Sequence, residues 1–285
     1  MGEEKSFKLL TRHKFDSSSV IVVWNQDVGK LGPKIADYLF RELKCRPLAE
    51  IGPEGFFPLS GVAVERDVAQ FPETKFYWSK NSNVVILRSD IPRLDWYKFI
   101  NLVLDVAVKY FKVKQIYTVG GMVLPGAHTV PRTLLSVTNS PEMKRIFGRY
   151  DIVRDMNYET RDDQRPTFSS YLIWAAKIRD IQAACLWVPV PFYLMTVEDP
   201  QACKKVLELF DEHLKLHLDF TDIDDQVREQ NQRIAQARIQ FPELDGYINK
   251  LESNLGLTSE EGEKLVKDMD ELLRSQPSNL RDSIN

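Results

Sequence analysis

Val20-Ile21-Val22-Val23 is the feature of this chain that leaves the fold least freedom. Four β-branched residues in succession favour a strand, and with no polar residue alternating between them both faces of that strand must be covered. Residues 19–24 are therefore expected in the centre of a sheet. After a loop over residues 25–32, Pro33 suits a first helical turn, and Ile35, Leu39 and Leu43 recur at intervals of four to about residue 44. Strand, loop and helix in that order open an α/β unit.

Short strands are expected near residues 48–51 and 61–65. Residues 75–79 and 84–88 flank the turn residues Asn81-Ser82 as a hairpin, which makes the sheet mixed. Phe99, Leu102, Val103, Val106 and Tyr110 set a helix over residues 95–111, and residues 115–119 form a buried strand that ends at Gly120-Gly121. A further strand fits residues 134–138. A helical pattern over residues 167–177 precedes a strand over residues 181–188 that Pro189-Val190-Pro191 cuts off, and a helix over residues 200–216 follows. This alternation predicts an α/β three-layer sandwich with a mixed, mostly parallel sheet, whose ligand crevice lies at the carboxyl ends of the strands.

Beyond Asp219 the strands stop. Leu244, Ile248, Leu251 and Leu255 fall at helical intervals, Pro242 breaks the pattern, and Thr258 with Glu261 reads as a capping box for a last helix carrying Leu265, Met269 and Leu272. Gly256 is expected to close the preceding helix. Two units follow: a sandwich domain over residues 1–221 and a C-terminal helical hairpin appendage over residues 222–285, whose last residues, 276–285, are expected to fray.

Composition narrows the function classes. With 38 basic against 41 acidic residues the net charge is −3, so no overall positive field exists to hold nucleic acid. The apolar stretches at residues 100–108 and 186–195 are too short to span a bilayer, and Met1-Gly2-Glu3-Glu4-Lys5-Ser6 lacks an apolar signal core. That start meets the loose Met-Gly-x-x-x-Ser acylation pattern, but with acidic residues following, lipidation is not expected. Cys45, Cys185 and Cys203 are odd in number and widely spaced, as reduced thiols are, which places the chain in a reducing cytoplasm.

No set of residues identifies an enzyme. Gly29-Lys30-Leu31-Gly32, between a strand and a helix, has the position of a phosphate cradle but neither the P-loop nor the dinucleotide spacing, so a tight turn competes with anion binding. Gly120-Gly121 followed by His128 and Arg132 offers polar groups to the crevice, with no nucleophile or carboxylate nearby in sequence. His213 and His217 are four apart, but Leu-Lys-Leu between them supplies no glutamate base; Asp219, Asp222, Asp224 and Asp225 fail the calcium-loop pattern and suit helix capping. No metal and no cofactor is expected. Trp187, Phe192 and Tyr193 interleave with Pro189 and Pro191 where a strand leaves the sheet, and there a protein interface and core packing are equal readings.

Several segments, taken together and in order, resemble the proteasome assembly chaperone 2 family. They are Val28-Gly29-Lys30-Leu31-Gly32-Pro33, Gly120-Gly121 with His128-Thr129-Val130-Pro131-Arg132, Arg165-Pro166-Thr167-Phe168, Ala175-Ala176, the strand before Pro189-Val190-Pro191-Phe192-Tyr193, and Asp199-Pro200-Gln201-Ala202. The resemblance covers residues 15–240. It implies a sandwich similar to nucleoside phosphorylases and peptidyl-tRNA hydrolases, self-association as a homo-oligomer, a trimer by the family's habit, and a protein client such as proteasome subunits. The tail Asp282-Ser283-Ile284-Asn285 lacks the hydrophobic residue and tyrosine by which many such chaperones dock, so another surface is expected to serve. The sequence thus predicts a non-enzymatic, assembly-chaperone-like protein, with a phosphorylase-like hydrolase or transferase of a small anionic ligand as the alternative.

Overall fold

The computed structural model describes residues 7–58, 63–65, 67–153, 155–157, 159, 163–164 and 166–274. Sequence expectations at residues 1–6, 61–62, 165 and 275–285 lie outside the described residues.

The chain runs β1 (Phe7–Leu9), β2 (Ser18–Trp24), a 3₁₀ turn (Val28–Lys30), α1 (Leu31–Glu42), β3 (Arg46–Ile51), β4 (Ala63–Glu65), β5 (Val68–Gln70), β6 (Thr74–Trp78), β7 (Val84–Ser89), α2 (Trp96–Phe111), β8 (Val113–Leu124), β9 (Leu134–Thr138), α3 (Pro141–Phe147) and β10 (Ile152–Val153). It continues through α4 (Phe168–Ile178), β11 (Gln182–Pro191), a 3₁₀ turn (Phe192–Leu194), α5 (Pro200–Leu214), α6 (Thr221–Gln240), α7 (Pro242–Glu252) and α8 (Ser259–Arg274). Nine strands form one sheet in the order β1-β3-β6-β7-β2-β8-β11-β9-β10, and β4 and β5 pair separately. Its centre, β7-β2-β8-β11, is parallel; β6 and β9 pair antiparallel on either side.

The β2 run is buried on both faces. Ile21 and Val23 join one core with α1, α3 and α5 through α8, while Val20, Val22 and Trp24 join the other with α2 and α4. This is the three-layer arrangement. The helices from α6 onward share the first core through Ile223, Ile234, Leu244, Ile248, Leu265 and Met269, all buried.

Several local expectations need correction. The glycines do not end β8, which continues to Leu124, because they sit where neighbours press on the strand: a Cβ on Gly120 would lie 2.7 Å from the Trp187 ring, and one on Gly121 2.6 Å from the Val28 carbonyl oxygen. Pro189 and Pro191 do not end β11 either. Past Trp187 that strand has lost its β9 neighbour and pairs only with β8, so residues without an N–H cost little on the open edge. Asn254, with φ 56°, turns the chain after α7 instead of Gly256, leaving Leu255 exposed beyond the helix. β1, β5, β10 and α3 had no sequence signal of their own, since elements of two to seven residues carry too few periods to recognise.

The capping box at α8 is present as expected. The Thr258 N–H donates to Glu261 Oε2 at 2.9 Å and the Glu261 N–H to Thr258 Oγ1 at 3.2 Å. Among the described residues no helix is long and apolar enough to cross a membrane.

Candidate functional site

The crossover from β2 through α1 leads toward β3 on one side of the sheet, whereas the crossover from β7 through α2 leads back past β2 to β8. The two directions part between β2 and β8, and at the carboxyl ends of such strands a crevice opens. A cleft of about 580 Å³ lies there, lined by Trp24, Gln26, Asp27, Val28, Ile91, Val119, Gly120, Thr167, Phe168, Ser169, Trp187, Met195 and Thr196. Its walls are mostly aromatic or aliphatic, and this described lining contains no lysine or arginine.

Asp27 is the acid of the site. Oδ1 accepts from the Val28 N–H at 2.8 Å and the Gly121 N–H at 2.9 Å, and Oδ2 accepts from the Gly32 N–H at 3.1 Å. Burial pushes its pKa up to about 6 against the opposing pull of those three N–H donors. The side chain clips the loop after β2 to the interior of β8. Gly32 serves the same junction: a Cβ there would meet the Trp24 carbonyl oxygen at 2.5 Å, so α1 abuts the end of β2 only with glycine. Gly29 adopts the left-handed φ of 64°; its N–H donates to the Met195 carbonyl at 2.9 Å, and its carbonyl accepts from the Asp199 N–H at 3.3 Å. Lys30 is exposed and faces a different groove, beside Glu198, Gln230 and Arg274.

His128 and Arg132 are brought together, but outside the lining of that cleft; His128 borders a separate groove with Thr129, Gln201 and Arg238. Both are buried. Arg132 donates through Nε at 3.1 Å and Nη2 at 2.9 Å to Asp199 Oδ2, and through Nη1 to the carbonyls of Val130 at 2.8 Å and His128 at 3.3 Å. Asp199 Oδ1 also caps α5 by accepting from the Ala202 N–H at 2.9 Å. The His128 Nδ1 lies 2.8 Å from the Tyr193 hydroxyl, and burial with the nearby Arg132 charge lowers its pKa to about 4, so the ring is neutral at pH 7. Thr129 bonds Glu252 at 3.0 Å and Arg238 bonds the same carboxylate at 2.9 Å, tying α6 and α7 to this loop.

Of the residues flagged for a protein interface, Pro191 and Tyr193 are buried, and Pro189 and Phe192 are half-buried. The turn that carries Phe192 and Tyr193 packs on α8, where a Cβ at Gly262 would stand 3.7 Å from the Phe192 ring. The histidine pair does not share a helix: α5 ends at Leu214, His217 lies in the following loop, and His213 sits between the Tyr117 hydroxyl at 2.7 Å and the Tyr150 hydroxyl at 3.1 Å. The aspartates do not cap α6 as expected: its N-cap is Phe220, which makes no side-chain capping bond, Asp219 one residue earlier accepts from the Thr221 N–H at 2.9 Å, and Asp222 and Asp224 lie in the first turn, where negative charge suits the helix N-terminus.

Sequence reasoning missed Asp27, Asp199 and the cleft walls Trp24, Phe168 and Met195. Asp27 stood two residues before a flagged glycine and Asp199 inside a flagged segment, so a carboxylate next to a strand-to-helix turn was the available signal.

A family model described as the PAC2 family matches residues 25–238, well over half of the chain. No curated protein matches. Among solved structures, a Mycobacterium tuberculosis protein of unknown function, Rv2714, aligns at TM-score 0.74 and 17% identity, covering 89% of this chain and 90% of its own. The M. tuberculosis proteasome-assembly chaperone homologue Rv2125 aligns at TM-score 0.67 and 20% identity, covering 81% and 99%. Pyrococcus furiosus PbaB, an archaeal proteasome activator, aligns at TM-score 0.65 and 18% identity, covering 82% and 99%. At these identities the likeness concerns the fold.

Proposed function

The chain belongs to the PAC2 family, and from that premise we propose that it is a non-enzymatic, protein-binding module of assembly-chaperone type that works as a homo-oligomer in the cytoplasm. One observation carries this reading: the cleft at the strand ends has apolar walls, and Asp27, the one charged residue of its described lining, is already engaged by three backbone N–H groups of the chain. A small anion needs an unpaired cation or free N–H donors at its site. Here Arg132 is held by Asp199, and the Gly121 N–H is held by Asp27. Aromatic walls with few polar groups suit a hydrophobic side chain presented by a protein client.

The neighbours suggest which client. A proteasome activator and a proteasome-assembly chaperone homologue share the fold, so proteasome subunits are the client class proposed. In this reading a division after residue 221 separates a binding body from a helical appendage, whose α6 and α7 brace the loop carrying His128 and Thr129 through Arg238 and Glu252.

The test is affinity capture of the tagged chain from its native cytoplasm, beside a Met195→Asp variant that places a charge on an exposed cleft wall. A stoichiometric protein partner retained by the native chain and lost by the variant is expected. Capture of no partner, together with turnover of a phosphorylated substrate by the purified chain, would overturn the reading.

A further inference from the structure

The groove beside His128 holds a hydrogen-bond donor that the chain leaves unused. Its volume is about 380 Å³, and its described lining is His128, Thr129, Gln201, Asn231, Ala235 and Arg238. Asn231, Ala235 and Arg238 follow at intervals of four and three on α6, so they share one face of that helix, and Gln201 comes from the first turn of α5.

The hydrogen bonds decide which nitrogen of His128 carries the proton. The His128 backbone N–H donates to the Tyr193 hydroxyl oxygen at 2.5 Å. Tyr193 is 0% exposed, and among the described residues its own hydroxyl proton has one acceptor, His128 Nδ1 at 2.8 Å. Nδ1 is therefore an acceptor, and in the neutral imidazole the proton sits on Nε2. That N–H has no partner among the described residues. Nor is Nε2 sealed from solvent, as Trp78 Nε1, Ser82 Oγ and Thr118 Oγ1 are, although His128 as a whole is only 6% exposed. A buried ring thus turns its one free donor to the groove that it lines.

The surroundings give this donor's site a sign. Burial first, and then the Arg132 and Arg238 charges, hold His128 neutral against the opposing pull of Glu252, so the field at the ring is positive. The N-terminus of α5 adds to it. There Pro200 has no N–H and the Ala202 N–H is taken by Asp199, which leaves the Gln201 N–H without an acceptor among the described residues. The side-chain amides of Gln201 and Asn231, engaged by no described residue, are free to turn their N–H groups to the same point.

We propose that this groove binds a carboxylate, held by His128 Nε2–H, the Gln201 N–H and the side-chain amides of Gln201 and Asn231. The site is separate from the cleft at the strand ends and does not depend on the client reading. Two alternatives fit less well. A phosphate dianion calls for an unpaired cation, whereas Arg238, the one charged residue of the described lining, is engaged by Asp245 at 2.6 Å and Glu252 at 2.9 Å. A neutral carbonyl draws little from the positive field and uses fewer of the donors. One negative charge spread over two oxygens matches neutral donors on several residues. The volume lies at the small end of ligand sites, which suits a small organic acid or the last residue of a peptide.

NMR titration of the ¹⁵N-labelled full chain tests this, with sodium acetate against sodium chloride at equal ionic strength and against acetamide, the neutral counterpart of acetate. The expected result is an Nε2–H tautomer of His128 before any addition, then a saturable shift of the His128 and Thr129 resonances with acetate that chloride and acetamide do not produce. Read at Thr129, His128→Phe and Gln201→Leu should each weaken acetate binding about tenfold, as loss of a hydrogen bond to a charged group does. A short peptide with a free C-terminus separates the sources. Tighter binding than acetate, abolished by C-terminal amidation, assigns the site to a chain end; binding of acetate alone assigns it to a small organic acid, and both outcomes support a carboxylate site. An Nδ1–H tautomer, no saturable shift with either carboxylate, or acetamide binding as well as acetate would overturn it, as would undiminished binding by both folded variants. The tautomer and the acetamide comparison are read on the native chain, so the test stays decisive should His128→Phe fail to fold.

Discussion

Replacing Arg132 by methionine should destabilise the fold rather than abolish a binding activity. The Arg132 and Asp199 side chains are 5% and 0% exposed, and Arg132 delivers two N–H bonds to one carboxylate oxygen. Methionine keeps much of the volume but strands Asp199 as a buried charge without its counter-ion, which costs about 3–5 kcal/mol. The carbonyls of Val130 and His128 lose a donor as well, which places the loss toward the upper part of that range. Adding Asp199→Asn removes the stranded charge while keeping an oxygen to cap α5, so the double variant should recover about half of the loss. Lys8→Ala serves as the comparison, because the Lys8–Glu50 pair is largely solvated and worth under about 1 kcal/mol. Urea unfolding at pH 7 measures all four. An Arg132→Met variant as stable as its parent would refute the reasoning and return Arg132 to the list of groups free to hold an anion.

Other consequences follow from the same geometry. Burial raises the folded pKa of Asp27 from the ordinary carboxylate range to about 6, so its stabilising contribution is complete below about pH 4 and is lost as pH rises through 6. A shift of about two units corresponds to roughly 3 kcal/mol at most, so between pH 4.5 and 7 the native chain should lose stability relative to Asp27→Asn, and parallel pH profiles of the two urea midpoints would count against it. Gly121→Ala should cost about 1–3 kcal/mol, since its Cβ would stand 2.6 Å from a backbone oxygen that cannot rotate away; an unchanged thermal midpoint would contradict this. Thr258→Ala should cost about 1 kcal/mol by opening the capping box of α8, seen as faster amide exchange in its first turn, whereas unaltered exchange would mean the box contributes nothing.

Much of the architecture was legible because its signals are local. Val20–Val23 needs two covering layers wherever it occurs, and the apolar residues of α1, α2 and α7 repeat within single helices. The site was legible only in outline. Glycines at the ends of β2 and inside β8 marked where backbones crowd, but their partners lie far along the chain: Asp27 meets Gly121 across 94 residues, and Arg132 meets Asp199 across 67. No spacing in one sequence encodes such pairs. The prolines of β11 mislead for a related reason, because whether a missing N–H ends a strand depends on whether a neighbour stands opposite, and the pairing of β11 with β9 stops at Trp187.

The most direct test is reconstitution: native mass spectrometry of the purified chain mixed with purified proteasome subunits from the same cell, with Met195→Asp in parallel. A complex of defined stoichiometry that forms with the native chain and fails with the variant is the predicted result. Free subunits in both mixtures, with inorganic phosphate or a nucleoside seen bound to the native chain instead, would contradict a protein-binding role for the cleft.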